Sequence, residues 1–359
     1  MPGKNVRQFK LRQMSLAPET TIGTAISVSA SPSPWVQLPI LTGTITASEG
    51  SRIIDRSANA DGFAGSAESA IGSFAYAVAF EAEIHGQANT DVPLFVRWLG
   101  MTGHNCVGDS GAGTYTCTPS TLPLANYPAA PTPYDTTIPP HAETGVAVFL
   151  DGDTGNVDSY TRATSVVGTH TFTLPSNSDR PTFGFTGLGY ITDGDALVTT
   201  GVDLQAFATK ITGRPVAFRG ATISIQTVGG TAYDGVELKS FVFTQNANVR
   251  ATEAPQNQWG FTTPSVFQDA GATVSFQLAN TIGDEAKAWV DWRGGAFLAV
   301  TITLDLGTCT LALNLPRLEL QDVTESDDGG ARALTYNAKC TRPNGSSTPS
   351  YTYTLTDTP

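Results

Sequence analysis

Positive charge is scarce in this 359-residue chain, where 20 Lys and Arg stand against 32 Asp and Glu for a formal net charge of -12. Such a surface repels polyanions instead of gathering them by phosphate neutralisation, which excludes sequence-specific DNA binding. Cysteine is sparse as well. Cys106, Cys117, Cys309 and Cys340 are too few for a disulfide scaffold and include no C-x-x-C pair of the kind that holds zinc, so folding in a reducing compartment fits best. No 18-residue apolar segment occurs, and the basic opening MPGKNVRQFKLRQ is not followed by an apolar run long enough for a secretory leader. Neither a membrane span nor a signal peptide is expected.

The signatures of common catalytic sites are also missing. There is no G-x-x-x-x-G-K-[ST] phosphate cradle, no G-x-S-x-G elbow and no H-E-x-x-H pair. The four histidines, His85, His104, His141 and His170, are scattered without partners at ligand or triad spacing, and none is assigned a catalytic role. His104 with Cys106 and Cys117 falls short of a closed tetrahedral metal set. Asp151–Asn156 resembles the start of a calcium loop but lacks the distal Glu, so it reads as a plain turn. Acids such as Asp291 and Asp305 are not placed in one cleft by the sequence. The expectation is a protein that is not an enzyme and carries no cofactor or metal.

What the chain has is Gly (36), Pro (22) and much Thr, Val, Ala and Ser, with no sustained helical spacing of apolar positions beyond about a dozen residues. The expected class is mainly β, and the length suits two domains. The clearest strand runs from Gly72 to His85, with Phe74, Tyr76, Val78, Phe80, Ala82 and Ile84 on one face and an alanine-rich face ending in Glu81, Glu83 and His85 on the other. Alternation returns in Leu298, Val300, Ile302, Leu304 and Leu306, continues in Cys309, Leu311, Leu313 and Leu315, and reappears after a turn at 327–330 in Leu334, Tyr336, Ala338 and Cys340. Cys309 and Cys340 thus read as buried free thiols. Two short helices are expected, one opened by Thr90-Asp91-Val92-Pro93 and closed at Gly100, the other from Asp284 to Gly294.

Order and landmarks repeat along the chain. Gly43–Thr46, a polar stretch, Phe63, a strand to Phe80 and a helix ending Trp98-Leu99-Gly100 are echoed by Ser240–Phe243, a polar stretch, Phe261, a strand to Phe276 and a helix ending Trp292-Arg293-Gly294. The offsets are 197, 198, 196 and 194 residues, which points to one duplicated domain. A boundary near residues 192–214 follows. The expected domains are 1–196, with an N-terminal arm 1–35 and a loop insertion 103–140, and 197–359. The insertion, rich in Gly, Pro, Ser and Thr, reads as an exposed loop in which Cys106 and Cys117 either form a clip or remain free.

These landmarks resemble the tail tube proteins of long-tailed bacteriophages. The most specific piece is the opening Arg7–Arg12 followed by Pro18-Glu19-Thr20-Thr21-Ile22-Gly23-Thr24; Val146–Gly152 and then Phe183–Tyr190 resemble the strands and the Gly-aromatic turn that complete the family's domain, and Arg214–Phe218 and Asn246–Arg250 also fit it. The resemblance implies two tandem β-sandwich tube domains, each with one short flanking helix. Their strands would join neighbours into a closed cylinder of stacked trimeric rings with pseudo-sixfold symmetry. It implies Glu81, Glu83 and, more weakly, Glu237 as lumen-lining residues that repel passing DNA. Arg52, Asp55, Arg56 and Asp61, and in the second copy Arg250, Trp259, Phe261 and Phe267, become residues of loops that stack one ring on the next. The implied partners are further copies of the chain, a tape measure protein and other tail proteins, with DNA passing unbound. The implied location is the virion tail, assembled in the host bacterial cytoplasm. Two rivals predict other behaviour: a monomeric carbohydrate-binding or adhesin module using Trp35, Trp259 and Tyr134 as stacking platforms, and a tail terminator or distal tail protein on the same fold.

Overall fold

A computed structural model describes residues 12–27, 34–47, 53–54, 70–71, 75–85, 92–150, 157–174, 180–197, 221–230, 232–233, 237–250, 265–267, 271–279, 282–328, 331–342 and 346–357. Among the described residues the chain is mainly β, with two short helices. The strands of the first half are β1 (Arg12–Pro18), β2 (Val36–Gln37), β3 (Ile40–Ala47), β4 (Ile53–Ile54), β5 (Ala70–Ile71), β6 (Ala75–Glu83), β7 (His104–Asp109), β8 (Thr114–Pro119), β9 (Glu143–Leu150), β10 (Val157–Leu174) and β11 (Thr182–Leu197). Those of the second are β12 (Thr222–Thr227), β13 (Leu238–Thr244), β14 (Asn248–Arg250), β15 (Ser265–Phe267), β16 (Thr273–Ala279), β17 (Phe297–Asp305), β18 (Cys309–Asp328), β19 (Ala331–Cys340) and β20 (Thr352–Asp357). Helix α1 spans Leu94–Met101 and α2 spans Ile282–Arg293.

Sixteen strands form one antiparallel sheet, which is not closed on itself. The same pairing pattern occurs twice in it. In the first half β1 pairs with β9, β9 with β10, β10 with β11, β11 with β6 and β6 with β3, while β4 and β5 form a separate ribbon. In the second half β12 pairs with β17, β17 with β18, β18 with β19, β19 with β16 and β16 with β13, while β14 and β15 form a separate ribbon. One irregularity of register repeats too. It falls between Ile40 and Thr42 in β3 and between Leu238 and Ser240 in β13. Gly43 stands opposite Phe80 and Phe241 opposite Phe276, so the partner of Gly43 is Phe241, one residue beyond the Ser240 suggested by spacing.

The alternations read from the sequence become faces of this sheet. Val78, Phe80, Ala82 and Ile84 are buried, as are Leu298, Val300, Ile302, Leu304 and Leu306, then Cys309, Leu311, Leu313 and Leu315, then Leu334, Tyr336, Ala338 and Cys340. Cys309 and Cys340 are buried free thiols, and burial pushes the Cys340 thiol up to about 12. Phe183–Tyr190, expected to contain a turn, instead runs straight through β11. Its glycines serve close packing, since a Cβ at Gly187 would strike the Val167 carbonyl and the ring of Phe185. Phe80 and Phe185 stack at 4.9 Å, and Trp98 of α1 stacks on Phe183 at 5.0 Å.

The insertion is not an exposed loop. Cys106 and Cys117 stand directly opposite in the β7–β8 hairpin and are disulfide-bonded, which departs from the reducing setting inferred from cysteine count. The hairpin adds to β20, and Tyr115, Tyr127, Tyr134 and Ile138 are buried beneath it. Burial of these apolar side chains, hidden among the polar residues of 103–140, makes the segment part of the fold.

The two sequence halves are not separate sheets. Thr171–Leu174 at the end of β10 pairs with Phe241–Thr244 of β13, and β20 pairs with β8, so hydrogen bonding crosses the expected 196/197 boundary twice. Phe172, Leu174, Phe241 and Phe243 are each 1% exposed or less at the first crossing. Replacing Phe241 by Ala there is expected to cost about 3–5 kcal/mol of stability. Chemical denaturation of F241A checks this, and a change below about 1 kcal/mol would show that the crossing contributes little.

Candidate assembly interface

At the crossing between halves lies a buried polar network that has no signature in the local order of residues. His104 starts β7, His170 lies in β10, Gln245 follows β13, and Tyr351 and Tyr353 come from the C-terminal strand region. All five are 3% exposed or less. The hydrogen bonds define the proton positions. Gln245 donates its Nε2 to the Thr102 carbonyl at 2.8 Å, so its Oε1 faces His170 and accepts from Nδ1 at 2.8 Å. His170 Nε2 then accepts from the Tyr353 hydroxyl at 2.9 Å. His104 repeats the arrangement: Nδ1 donates to the Leu99 carbonyl at 3.0 Å and Nε2 accepts from Tyr351 at 3.0 Å.

Burial favours the neutral form of both rings, whose centroids lie 5.3 Å apart. Burial lowers the His104 pKa to about 4; burial, with His104 beside it, drives that of His170 well below the usual value. The histidines that the sequence left without partners are thus partners of one another, separated along the chain and joined by topology.

A second network anchors the segment that carried the strongest family resemblance. Glu19 follows β1 and is fully buried. Its Oε1 accepts from the Ser165 backbone N–H at 2.6 Å and from the Thr144 hydroxyl at 3.0 Å, while Oε2 accepts from Gly23 N–H at 2.9 Å and the Ser165 hydroxyl at 3.2 Å. Burial raises its pKa and the four donors oppose that. Ser165, at φ 55°, sits in the left-handed region where β10 is irregular, so Glu19 holds a strained turn of backbone in place. Next to it Arg97, the one charged residue of buried helix α1, donates two bonds of 3.0 Å to Glu143. Burial alone would raise the Glu143 pKa, but Arg97 and His141 outweigh it and hold it low.

Strands β2, β7 and β12 end the sheet with one strand neighbour each, and two further edges lie free of strand pairing among the described residues. Strand β3 pairs only with β6, and Leu41 at its irregularity is 50% exposed. Strand β18 pairs with β17 only as far as Glu319, after which 320–328 pair on the β19 side alone. An open edge of this length is a template for another strand.

Of the lumen candidates, Glu81 is half-buried on β6, whereas Glu83 is 8% exposed and held by Arg180 and by His85 at 3.3 Å. Glu237 is exposed and paired with Lys239 at 3.0 Å. Arg52, Asp55, Arg56, Asp61, Trp259 and Phe261, and the calcium-like turn at 151–156, lie outside the described residues. Arg250 and Phe267 are placed in β14 and β15, which form the ribbon equivalent to β4 and β5. Asp291 is tied to Tyr233 and Lys287 at 2.6 and 2.8 Å. Among the described residues no group of three or more His, Cys, Asp or Glu could hold a metal, and no helix is long and apolar enough to cross a membrane. Of the aromatics offered as sugar platforms, Trp35 is fully buried and Tyr134 is 7% exposed, so neither presents a face to solvent. No family model and no curated protein matches the chain.

Two predictions follow from the buried groups. Above pH 6.5 the two histidines are neutral whether the chain is folded or not; below it only the unfolded chain takes up their protons. Stability is expected to fall from pH 6.5 downward by up to about 2.7 kcal/mol per pH unit, His104 ceasing to contribute near pH 4. Denaturation midpoints at pH 7, 6 and 5 measure the slope, and a flat profile would mean that the rings are protonated in place. Glu19→Ala, which leaves buried donors unpaired, is expected to lose about 2–4 kcal/mol. A thermal midpoint unchanged from the parent chain would rule out that anchoring role.

Proposed function

We propose that this chain is a structural, non-enzymatic protein that polymerises as trimeric rings and stacks them into a hollow bacteriophage tail tube. The observation that carries the reading is the repeated pairing pattern, with the two repeats already joined edge to edge within one chain. A unit whose sheet continues into its neighbour and leaves an open edge at either extreme suits head-to-tail assembly, and a closed ring removes the edges that would otherwise aggregate. In this reading residues 1–196 and 197–359 are two tube domains, and three chains supply six domains around an axis.

The rest of the proposal follows from what such a conduit requires. A net charge of -12 keeps the wall from gripping phosphate, so DNA passes through without being held. Glu81, partly exposed on β6, is the better lumen candidate; Glu83 is engaged by Arg180 and orders the end of that strand. The ribbons β4–β5 and β14–β15 stand at equivalent places between paired strands and would carry the ring-stacking loops. Partners would be further copies of the chain, a tape measure protein and other tail proteins, in a virion tail assembled in the host bacterial cytoplasm.

Negative-stain electron microscopy with mass photometry over a concentration series tests the reading. Rings or hollow tubes with a threefold repeat are expected. A stable monomer at every concentration would overturn it in favour of a binding module.

A further inference from the structure

The internal crossing between β10 and β13 is a template for the contact between chains. In the repeated pattern β18 corresponds to β10 and β3 to β13. Phe172 of β10 faces Phe183 in β11, and the equivalent position of β18, Glu325, faces Leu334 in β19. Phe183 and Leu334 in turn stand opposite Ala82 and Leu278 of the equivalent strands β6 and β16. Likewise Phe241 and Gly43 stand opposite Phe276 and Phe80. Within the chain, Thr171, Phe172, Thr173 and Leu174 pair with Thr244, Phe243, Val242 and Phe241. The segments that correspond to these two runs, 324–327 of β18 and 43–46 of β3, both lie on edges without a strand partner among the described residues.

We infer that β18 of one chain pairs antiparallel with β3 of a second copy, in the register Thr324 to Thr46, Glu325 to Ile45, Ser326 to Thr44 and Asp327 to Gly43. The inference rests on the ring reading and names the strands and residues of its interface. β18 has its edge open on the side where β17 ends, as β10 receives β13 on the side where β9 ends. Three chains joined this way contain three internal and three external crossings of one geometry, which closes a heterologous ring.

The two kinds of crossing differ in chemistry. Where the internal one buries Phe172 against Phe243, the external one brings Glu325, exposed and bonded to Arg332 at 2.6 Å, opposite half-buried Ile45. Its ladder is made chiefly by backbone hydrogen bonds, the mode of strand addition at a sheet edge. The apolar crossing forms as the chain folds; the polar one leaves the folded chain able to remain in solution until it meets another copy.

Paired cysteines test the register. A Thr44→Cys/Ser326→Cys chain, assembled and then oxidised, places two thiols directly opposite each other between neighbouring chains, within disulfide reach. Cys309 and Cys340 are buried and Cys106–Cys117 is already bonded, so they do not compete. Most of the protein is expected to shift on non-reducing gels to covalent trimer and its linear precursors. Mixing separate T44C and S326C chains should give heterodimer, and a T42C/S326C chain, two residues out of register, should give only background. Rings seen by microscopy whose in-register pair cross-links no better than the offset pair would overturn this interface while leaving the tube reading standing. A chain that stays monomeric by mass photometry at all concentrations would overturn both.

Discussion

Four residues at the end of β10 and four of β13 share one antiparallel ladder, and the organisation of the molecule depends on it. Without that ladder only the β20–β8 pairing would join the strands of the two halves, and the facing edges of β10 and β13 would stand open. With it, the second repeat is a continuation of the first sheet. The packing over the ladder is redundant: Phe172 and Phe243 lie against Tyr353, Phe241 lies against Phe172, and Tyr351 and Tyr353 are each hydrogen-bonded to a buried histidine. A fully satisfied polar network of this kind fixes one arrangement where apolar packing alone would tolerate several. It also draws the β7–β8 hairpin and the C-terminal strand onto the same place, since His104 belongs to the first and Tyr353 to the second, with Tyr351 just before it.

The strand additions make the two halves of the sheet differ although their pairing pattern repeats. The first repeat carries the hairpin insertion after α1; the second does not, and instead extends into β20, which fills the edge of the inserted hairpin. The two repeats are therefore alike in pairing and unlike at their ends. An assembly built from them would have sites of two kinds in alternation, which is what a threefold ring with sixfold-like spacing requires. The acidic surface suits the same role, since it discourages both adhesion to nucleic acid and unspecific association between chains.

Much of the fold was legible in the amino-acid order because sheet periodicity is local. Phe80, Val78 and Ala82, or Leu311, Leu313 and Leu315, alternate at the spacing of a pleat, and no long-range information is needed to place them on a buried face. The repeat of the pairing pattern was legible for a related reason: Phe80 and Phe276 occupy the same place in it, although few other residues agree. The insertion was misread because its apolar residues, Tyr115, Tyr127, Tyr134 and Ile138, lie singly among polar ones with no period, and only the docking of the hairpin on β20 buries them. Phe183–Tyr190 was misread because glycine serves turns and close strand packing alike.

By itself the sequence determined a mainly β chain, its strand faces, its acidic surface and the recurrence of one pattern, all properties carried by composition or by neighbours a few residues apart. Tertiary structure decided the rest. His104 and His170 lie in different strands and Tyr351 and Tyr353 near the far end of the chain, so nothing in the local order could reveal that they share hydrogen bonds. Glu19 became an anchor only when Ser165 and Thr144 were brought to it, and Glu83 was taken from the solvent face by Arg180. Which edges are satisfied and which stay open is a property of the pairing order of the whole sheet, and hydrogen-bonded neighbours in a sheet are set by topology, not by proximity along the chain.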